Sequence, residues 1–473
     1  MGWAGGFNLC LLYGFPAAFG GTGPFSTVCQ ARNTSPSIDH VSLDVTTLNP
    51  RIESIHEVEK RVMNSVLMQM WHSVALGLGL ASIVIAVLAL LGTLYALAFA
   101  VVGIVASRDE NEPGENSAGK RLPTTNFLVV IPAHNEGSGL TATVQSVLAQ
   151  NYPHLRCVVI ADNCTDDTSE IASAAGAHEV LVRTDPERRG KGQALTWAFH
   201  LAQSWEWDAV CVIDADSVIE AGFFAALDLS FCKGHAVAQA RYDFFPAADS
   251  KNWLQQFGAV SKAAENSFVA RPRERLGLSE LLMGNGFFVS RAVLERVPWL
   301  AHSIVEDAEY ALLLAQQGIA VHYQERARLW SRQAPSVRDV QPQRVRWASG
   351  IWQLLRKAVP ILFATAWRER SWRAIEEIVM LSMTSRLVLI YLWVLSFAMS
   401  LTAPSLFPIT WSLLSGVAVL QILYLMLMFR FACDRPVPFA GAMLLPYYVF
   451  VVLSSQVLAL SGVNRHLWWR TSR

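Results

Sequence analysis

The run from Trp71 to Ala106 contains no Asp, Glu, Lys or Arg, and it constrains the fold more than any other part of the chain. A bilayer span needs about 20 apolar residues, and an uncharged run of this length is unlike a soluble helix. Because the run is too short for two spans and a turn, we predict a single span over roughly 80–104. A kinked or interfacial turn near Gly77 and Gly79 is expected before it.

Composition supports a membrane protein. Hydrophobic residues make up 52% of the chain and charged residues 16%, whereas soluble domains carry about 25% charged residues. The formal net charge is zero, which argues against a nucleic-acid-binding protein with a basic face. The cysteines are scattered without a CxxC pair, so neither a zinc ribbon nor a disulfide framework is predicted.

Residues 1–70 are treated as an uncertain N-terminal tail. The first thirty residues contain no Lys or Arg, although a secretory signal has a basic start. Residues 31–60 are polar and have the composition of a poorly ordered segment. An open alternative is that the protein begins downstream, at Met63, Met68 or Met70.

Residues 126–365 have a different pattern, after a charged linker at 108–125 that contains Pro and Gly. Short β-branched runs alternate with helical patterns, which predicts βαβ units and a parallel sheet. The predicted strands are Phe127–Ile131, Arg156–Ala161 and Ala209–Ile213, and the predicted helices are Gly139–Gln150 and Thr168–Ala175, the second capped by Thr165 or Asp167. Ligands bind at the carboxyl ends of strands in such sheets, so the chemistry is expected there.

Residues 366–473 are expected to form a second membrane region. Its span candidates are Ile378–Thr402, Trp411–Phe429 and Phe439–Gly462. Basic residues lie on both sides of the third run, and the positive-inside rule favours the cytosol for both. These residues are Arg430, Arg435, Arg465, Arg470 and Arg473. We therefore expect the third run to be interfacial or re-entrant, with a full span as the open alternative.

Seven polar motifs follow one another between the two apolar regions. They are Pro132–Glu136, Asp162–Asp167, Arg188–Gly192, Asp214–Asp216, Met283–Gly286, Val305–Asp307 and Gln343–Trp347. Each alone has an ordinary explanation. Asp214 and Asp216 could be solvated loop acids, Glu306-Asp307 could be acids in the first turn of a helix, and Gln343–Trp347 could belong to an interfacial amphipathic helix.

In this order and spacing the motifs resemble those of family 2 glycosyltransferases, across about 240 residues. They also resemble those of the membrane subgroup that includes chitin, hyaluronan and cellulose synthases and ceramide glucosyltransferases. The resemblance implies an α/β fold: a GT-A type nucleotide-sugar-binding domain with a mostly parallel sheet, embedded between transmembrane helices. The basic aromatic tail Trp468–Arg473 also resembles the ending of bacterial relatives, or is simply a tail at the membrane surface.

The resemblance assigns the donor site. Asp216 would coordinate Mg²⁺ or Mn²⁺, hard ions that prefer oxygen ligands, and Asp214 would support the ribose or the metal. Asp162 would contact the uracil ring, although Ala161 stands where many relatives have another aspartate. Further donor contacts are assigned to Pro132, His134, Glu136 and Lys191.

The resemblance also assigns the acceptor side. Asp307, beside Glu306, would be the base that deprotonates the acceptor hydroxyl, and Val305 replaces the threonine of relatives. One direct displacement would invert the anomeric carbon. Arg346 would hold the diphosphate and Trp347 would stack on a sugar. Gln343 completes that motif, and Asn285 is assigned to the turn below the acceptor.

The expected function is therefore inverting, metal-dependent transfer from a nucleotide-sugar, UDP-linked, to a growing polysaccharide or oligosaccharide. A membrane-lipid acceptor such as ceramide, diacylglycerol or a hopanoid is the alternative, and a non-catalytic membrane scaffold is the third possibility. The expected location is the plasma (inner) membrane, in contact with membrane lipids, with the catalytic domain in the cytosol. The motifs do not determine which sugar is transferred.

Overall fold

The computed structural model of the chain describes residues 49–109, 122–137, 139–245, 252–382, 388–432 and 445–461. Residues 1–69 and residues 70–473 form two separate units. Several predictions concern residues outside the described ranges, namely the tail before residue 49, most of the linker, Arg435 and the basic tail Trp468–Arg473.

The described helices and strands alternate through the middle of the chain. The strands are β1 (Phe127–Ala133), β2 (Leu155–Asp162), β3 (Glu179–Arg183), β4 (Ala209–Val212), β5 (Ser217–Ile219), β6 (Val237–Phe244), β7 (Phe287–Ser290) and β8 (His322–Ser331). The helices up to the last strand are α1 (Asn49–Asp109), α2 (Gly139–Leu148), α3 (Thr168–Ala174), α4 (Lys191–Ala202), α5 (Phe223–Cys232), α6 (Trp253–Glu265), α7 (Arg271–Arg275), α8 (Arg291–Arg296) and α9 (Glu306–Gln316). The later helices are α10 (Val337–Glu369), α11 (Trp372–Ser382), α12 (Val388–Ser400), α13 (Phe407–Leu427) and α14 (Leu445–Ser461), and π-helical turns lie at Asn266–Ala270 and Met428–Ala432.

The described strands form one mixed sheet in the order β3-β2-β1-β4-β7-β6-β8-β5. Strands β3, β2, β1 and β4 are mutually parallel, and so are β6 and β8. Strand β7 runs antiparallel between β4 and β6, and β5 is antiparallel to β8 at the edge. The predicted α/β class with a mostly parallel sheet is confirmed.

Both faces of the sheet are buried, as a sheet covered by crossover helices requires. On one face Phe127, Val129 and Ile131 pack in a core with residues of α2 and α5. On the other face Leu128 and Val130 pack in a core with residues of α4 and α9. The alternation along β1 follows from the two-residue period of a strand.

The three predicted strands and two predicted helices all exist, with ends displaced by one or two residues. Asp167, one of the two predicted caps of α3, occupies the N-cap position, but its side chain makes no cap bond. The Asp166 carboxylate accepts a hydrogen bond from Thr168 N at 3.1 Å instead.

The predicted turn near Gly77 and Gly79 is absent, because both glycines lie inside the helix α1. Gly79 instead permits a close contact between α1 and the turn that joins α12 to α13. A Cβ at residue 79 would lie 2.4 Å from Cβ of Ala403 in that turn. Nearby, Ser396 Oγ donates a hydrogen bond to Ser82 O at 2.7 Å.

Among the described residues, two helices are long and apolar enough to cross a membrane, Glu57–Ser107 and Phe407–Phe431. The apolar helices Val388–Ser400 and Pro446–Ser461 are shorter. The predicted span Ile378–Thr402 is described as α11 and α12, with residues 383–387 outside the described ranges. The number of crossings therefore stays a prediction.

Buried polar contacts join the sheet domain to the flanking helices. The Arg273 guanidinium on α7 is fully buried and pairs with the Glu376 carboxylate on α11. Tyr95 of α1 donates a hydrogen bond to the same carboxylate at 2.9 Å. Removal of one partner from a buried pair leaves an uncompensated charge, so these contacts hold α1, α7 and α11 in one arrangement.

Candidate active site

The strand order creates a crevice at the carboxyl ends of β1 and β4. The chain runs outward from β1 to β2 and β3, then returns to place β4 on the other side of β1. Loops after two such neighbouring strands leave the sheet in opposite directions, and ligands bind in the gap. The loop Pro132–Glu136 follows β1 and the segment Asp214–Asp216 follows β4, so the topology brings these two predicted motifs together.

Asp162 ends β2 and is buried beside this crevice. Its carboxylate Oδ1 accepts hydrogen bonds from Arg183 Nη1 at 2.5 Å and from Asn163 Nδ2 at 3.0 Å. His134 Nδ1 donates to the Asp162 carbonyl at 2.7 Å. His134 and Asp162, which were each assigned to the donor site, are therefore in direct contact. Arg183 is a cation that the sequence motifs did not include.

Two asparagines in the left-handed region shape the loops after β1 and β2. Asn135 has φ 56° and Asn163 has φ 51°, a conformation that asparagine tolerates better than most residues. Asn135 Oδ1 accepts a hydrogen bond from Thr165 N at 2.7 Å, and Asn163 Oδ1 accepts one from Asp185 N at 2.8 Å. These bonds tie three strand-end loops to one another.

A single ammonium lies among the acidic residues at the centre of the site. Lys191, the first residue of α4, donates to Asp214 Oδ1 at 2.5 Å and to the carbonyl of Gly284. Gly284 has φ 74°, and a Cβ there would lie 2.9 Å from Asp307 Oδ2. Glycine is therefore required at this position both for its backbone conformation and for the space beside the carboxylate.

The acids of this centre have shifted pKa values. Burial raises the pKa of Glu306 to about 7, and the neighbouring Asp307 charge adds to the shift. Burial also raises the pKa of Asp307. Burial lowers the pKa of Lys191, but the Asp214 and Glu306 carboxylates outweigh it and leave the pKa raised. Shifts of this kind are common where carboxylates act as acids or bases.

Asn285 does not line the crevice. The sequence motif predicts a substrate contact for Asn285, but its side chain is fully buried. Its Oδ1 accepts a hydrogen bond from Asp214 N at 3.0 Å, and its Nδ2 donates to Ser217 Oγ at 2.8 Å. Asn285 thus lies behind the wall of the site, where it positions the segment that carries Asp214.

Helix α10 forms the opposite wall and carries Gln343, Arg346 and Trp347 on one face, as spacings of three and four residues predict. Burial lowers the pKa of Arg346, while the Glu306 and Asp214 charges oppose that shift. A Cβ at Gly350 of α10 would lie 2.7 Å from Val305 Cγ1. Val305, the apolar residue at the predicted threonine position, therefore packs against Gly350 and joins the start of α9 to α10.

The predicted motifs line one cavity of about 1440 Å³. Of the predicted site residues, only Asn285 is missing from its wall. The others are Pro132, His134, Glu136, Asp162, Lys191, Asp214, Asp216, Glu306, Asp307, Gln343, Arg346 and Trp347. The cavity continues to α1, α11, α12, α13 and α14, where Tyr95, Leu381, Leu392, Leu425 and Val452 contribute to its wall.

Asp214 and Asp216 offer a suitable donor set for a divalent cation. Their carboxylates follow β4 directly and are half-buried on the cavity wall. Carboxylate oxygens are the ligands that Mg²⁺ and Mn²⁺ prefer, and two carboxylates leave positions for phosphate oxygens. The predicted Glu306-Asp307 pair lies in the first turn of α9, so the helical and the catalytic interpretations of this motif are compatible.

The motifs also did not indicate Tyr242, Lys262 and Glu265, which line the cavity. Lys262 of α6 lies over the Tyr242 ring, with Nζ 4.7 Å from the ring centroid, and donates to Glu265 at 2.9 Å. The Tyr242 hydroxyl is 2.6 Å from Ser331 Oγ. Lys262 and Glu265 stand on a helix and Tyr242 on a strand, and only the packing of α6 over β6 brings them to the cavity.

Comparison with known proteins identifies the central region. Residues 123–350 match the family model described as "Glycosyltransferase like family 2". The chain is 25% identical over 250 residues to "Probable glycosyltransferase YdaM" of Bacillus subtilis, covering 51% of this chain and 58% of the relative. It is 26% identical over 226 residues to "Poly-beta-1,6-N-acetyl-D-glucosamine synthase" of Staphylococcus epidermidis, covering 47% and 53%. The match therefore spans little more than half of these curated relatives.

Solved structures show partial likeness. A mannosyltransferase of Pyrobaculum calidifontis in complex with GDP-Man and Mn²⁺ is 17% identical, with a TM-score of 0.47 over 80% of this chain and 100% of that one. Glucosyl-3-phosphoglycerate synthase of Mycobacterium tuberculosis, in complex with Mn²⁺, UDP and its product, is 22% identical, with a TM-score of 0.32 over 48% and 79%. At these scores neither likeness carries an argument about function.

We expect Arg183→Ala to weaken the binding of UDP by about tenfold or more, which corresponds to about 1.4 kcal/mol. The substitution leaves the buried Asp162 carboxylate without its cation, so the carboxylate can turn away from the crevice. Isothermal titration calorimetry with UDP measures the effect in detergent. Arg156→Ala is the matched control, because it removes the exposed Arg156–Glu179 pair from the neighbouring strands. Equal UDP affinity in both variants would contradict a role for Arg183.

Proposed function

Because this chain carries a family 2 glycosyltransferase domain, we propose that it transfers a sugar from a UDP-sugar to a growing saccharide at a membrane, with inversion. One observation carries the proposal. The predicted donor residues, the acidic centre and the α10 motif line a single cavity that reaches the apolar helices. A single cavity of this kind supports a mechanism in which donor, base and acceptor path share one continuous surface.

The nucleotide is proposed to bind between the loops after β1 and β2. A uracil ring offers an N–H donor, and the buried Asp162 carboxylate is an acceptor already held in place by Arg183. His134 contacts the Asp162 carbonyl and fixes the adjoining loop. Pro132 and Glu136 complete the wall of this part of the cavity.

The diphosphate is proposed to lie beside Asp214, Asp216, Lys191 and Arg346. A divalent cation held by Asp216 and Asp214 would neutralise phosphate charge in the bound donor and the leaving diphosphate. Lys191 is positioned among three carboxylates, so its charge balances that centre before substrate binds. Arg346 provides a second cation from α10, and a guanidinium can bind a diphosphate by paired hydrogen bonds.

The transfer step is proposed to use Asp307 as base. The acceptor oxygen gives its proton to the Asp307 carboxylate and forms a bond to the anomeric carbon, while the bond from that carbon to the diphosphate oxygen breaks. The nucleoside diphosphate leaves on the opposite face, so one displacement inverts the carbon. The pKa of Asp307 is raised by burial, which makes its carboxylate a better proton acceptor than a solvated aspartate.

The acceptor is proposed to approach along α10. Trp347 is 43% exposed on the cavity wall, which leaves its ring face available for a sugar. The activity named for the Staphylococcus relative, a poly-β-1,6-N-acetylglucosamine synthase, supports a saccharide acceptor. Nucleotide-sugars are cytosolic, so we further propose that the catalytic domain faces the cytosol from the plasma (inner) membrane.

A lipid acceptor is the second candidate, and the wall of the cavity at α12, α13 and α14 favours it. Leu389, Leu392, Leu425 and Val452 are among the side chains there, and Met428 continues the apolar wall. Such a surface suits acyl chains better than hydroxyl-rich sugars. The headgroup hydroxyl of a lipid that entered from this side would still point toward the acidic centre.

We expect Asp307→Asn to retain UDP-sugar binding and to lower turnover by about 10²–10⁴-fold, the usual contribution of a positioned base. Because the pKa values of Glu306 and Asp307 are raised, deprotonation of the pair is completed at higher pH than for solvated acids. The wild-type rate should therefore rise with pH toward neutrality. The measurements are calorimetry for binding and UDP release for turnover, each across a pH series.

Glu309→Gln is the control for Asp307. Glu309 lies in the same first turn of α9, but its carboxylate accepts a hydrogen bond from Ser303 N outside the acidic centre. It should leave turnover within about twofold, as expected for a change of about 0.4 kcal/mol. Loss of donor binding in Asp307→Asn would indicate a structural role for Asp307. Equal turnover in the two variants would contradict its role as base.

We expect transfer to stop in EDTA and to return when Mg²⁺ or Mn²⁺ is added in excess. Asp216→Ala should lose transfer without rescue by the metal, since a carboxylate ligand is missing. Asp166→Ala is the matched control, because Asp166 is also an acid after a strand but its carboxylate binds Thr168 at the start of α3. Full activity of the wild type in EDTA would contradict a role for the metal in transfer.

The two acceptor classes make different predictions for one experiment. Purified protein is incubated with a panel of radiolabelled UDP-sugars, with and without a total lipid extract, and the products are separated into polymer and lipid fractions. A saccharide acceptor predicts label in the polymer, sensitive to Trp347→Ala. A lipid acceptor predicts label in the lipid fraction, sensitive to Leu392→Trp, which would narrow the apolar end. UDP-sugar hydrolysis alone in every arm would favour neither acceptor and would contradict transfer.

A further inference from the structure

A histidine–glutamate–histidine cluster lies outside the cavity. Within the described residues, His235, Glu274 and His322 are the group whose potential ligand atoms all lie within 4.8 Å of one another. The two imidazole rings stack with centroids 3.6 Å apart and an angle of 2° between their planes. All three side chains are half-buried, so solvent ions can reach them.

The cluster joins three separate elements. His235 precedes β6, His322 begins β8, and Glu274 lies on α7. Strands β6 and β8 are parallel neighbours in which Ala238 pairs with His322, so the two histidines stand at the same edge of the sheet. Glu274 is oriented from the third side, because its carboxylate accepts hydrogen bonds from Tyr323 N at 2.8 Å and from His322 Nδ1 at 3.3 Å.

The cluster lies where β6 and β8 begin, whereas the cavity lies at the carboxyl ends of the strands. The cavity is lined by Tyr242 and Phe244 near the carboxyl end of β6, whereas His235 comes before its first residue. The five residue steps along β6 from Val237 to Tyr242 span about 17 Å of strand. An ion at the cluster would therefore be separate from one held by Asp214 and Asp216.

We propose that His235, Glu274 and His322 form a second metal site that binds Zn²⁺ or a similar borderline transition-metal ion. Two imidazoles and one carboxylate are a common ligand set for zinc and leave a fourth position for water. Mg²⁺, in contrast, prefers oxygen ligands only. The two metal sites of the chain would thus differ in the ion that they take.

The hydrogen bond that His235 makes outside the cluster selects its ligand atom. Ser230 Oγ lies 3.0 Å from His235 Nδ1, which leaves Nε2 as the ligand atom and supports the ring from behind.

Binding requires a small rearrangement. Ligand atoms of a tetrahedral zinc ion are about 3.3 Å apart, since each lies about 2.0–2.1 Å from the metal. The three groups must therefore close by about 1.5 Å from their present separation of up to 4.8 Å. Two imidazoles on one tetrahedral ion cannot stay parallel, so the stack opens by rotation of the half-buried rings. The bound ion would clamp α7 to the amino ends of β6 and β8.

The test measures Zn²⁺ binding to the full-length chain in detergent, after removal of any polyhistidine tag. Asp216→Ala is used as the background, so that the other candidate metal site is disabled. We expect one equivalent of Zn²⁺ by equilibrium dialysis, and Co²⁺ should give the visible absorption of a tetrahedral site. His235→Ala and His322→Ala should each weaken Zn²⁺ by at least about tenfold, the lower limit for loss of even a supporting group.

His200→Ala is the matched control, because His200 is exposed in the last turn of α4 and does not belong to the cluster. Zn²⁺ should raise the thermal midpoint of the background protein and of His200→Ala, but not that of His235→Ala. Thermal midpoints measured without metal show whether each variant folds. Glu274→Gln is a second variant of the cluster, and its amide oxygen can still accept the hydrogen bond from Tyr323 N. The proposal is overturned if the background protein takes up no Zn²⁺, or if His235→Ala and His322→Ala bind it as tightly as His200→Ala.

Discussion

The arrangement of the site depends on one buried ammonium. Lys191 stands at the start of α4 and binds both Asp214, after β4, and the carbonyl of Gly284, before β7. Asp307 of α9 lies beside the same glycine. Four chain segments thus converge on the Lys191 ammonium, which offsets part of the repulsion among three carboxylates in a half-buried space. This attraction exists before any substrate or ion is bound.

A second constraint is the attachment of the sheet domain to the apolar helices. Arg273 is fully buried and shares Glu376 with Tyr95, so α7, α11 and α1 meet through charged and polar groups. A buried pair contributes less to net stability than its attraction suggests, but it penalises alternative arrangements in which one charge is left alone. The cavity begins at the strand ends and continues between the helices. Such a contact suits this cavity, because the sheet domain and the helices that form its wall must keep their relative positions.

The same α7 helix carries Glu274 at the opposite edge of the sheet, next to His235 and His322. A clamp at that edge would act on β6 and β8, the strands whose other ends contribute Tyr242 and Ser331 to the cavity. The two ends of these strands thus combine different chemistry. Asp214 and Asp216, the proposed oxygen ligands, line the cavity. The two imidazoles and one carboxylate of the proposed second site stand at the opposite ends of these strands, away from the cavity.

Local sequence was sufficient for the strands, the helices and the order of the motifs. The β-branched runs and the polar residues after them predicted β1, β2 and β4 to within two residues, because two-residue periodicity and turn residues act over short distances. Contacts between distant segments were not encoded in this way. Arg183 beside Asp162, the burial of Asn285, and the packing of Val305 on Gly350 join residues that are far apart in sequence. The sequence alone predicted which residues carry the chemistry, whereas tertiary packing decided which of them face the cavity and which support it, because burial and charge pairing depend on neighbours that only the fold brings together.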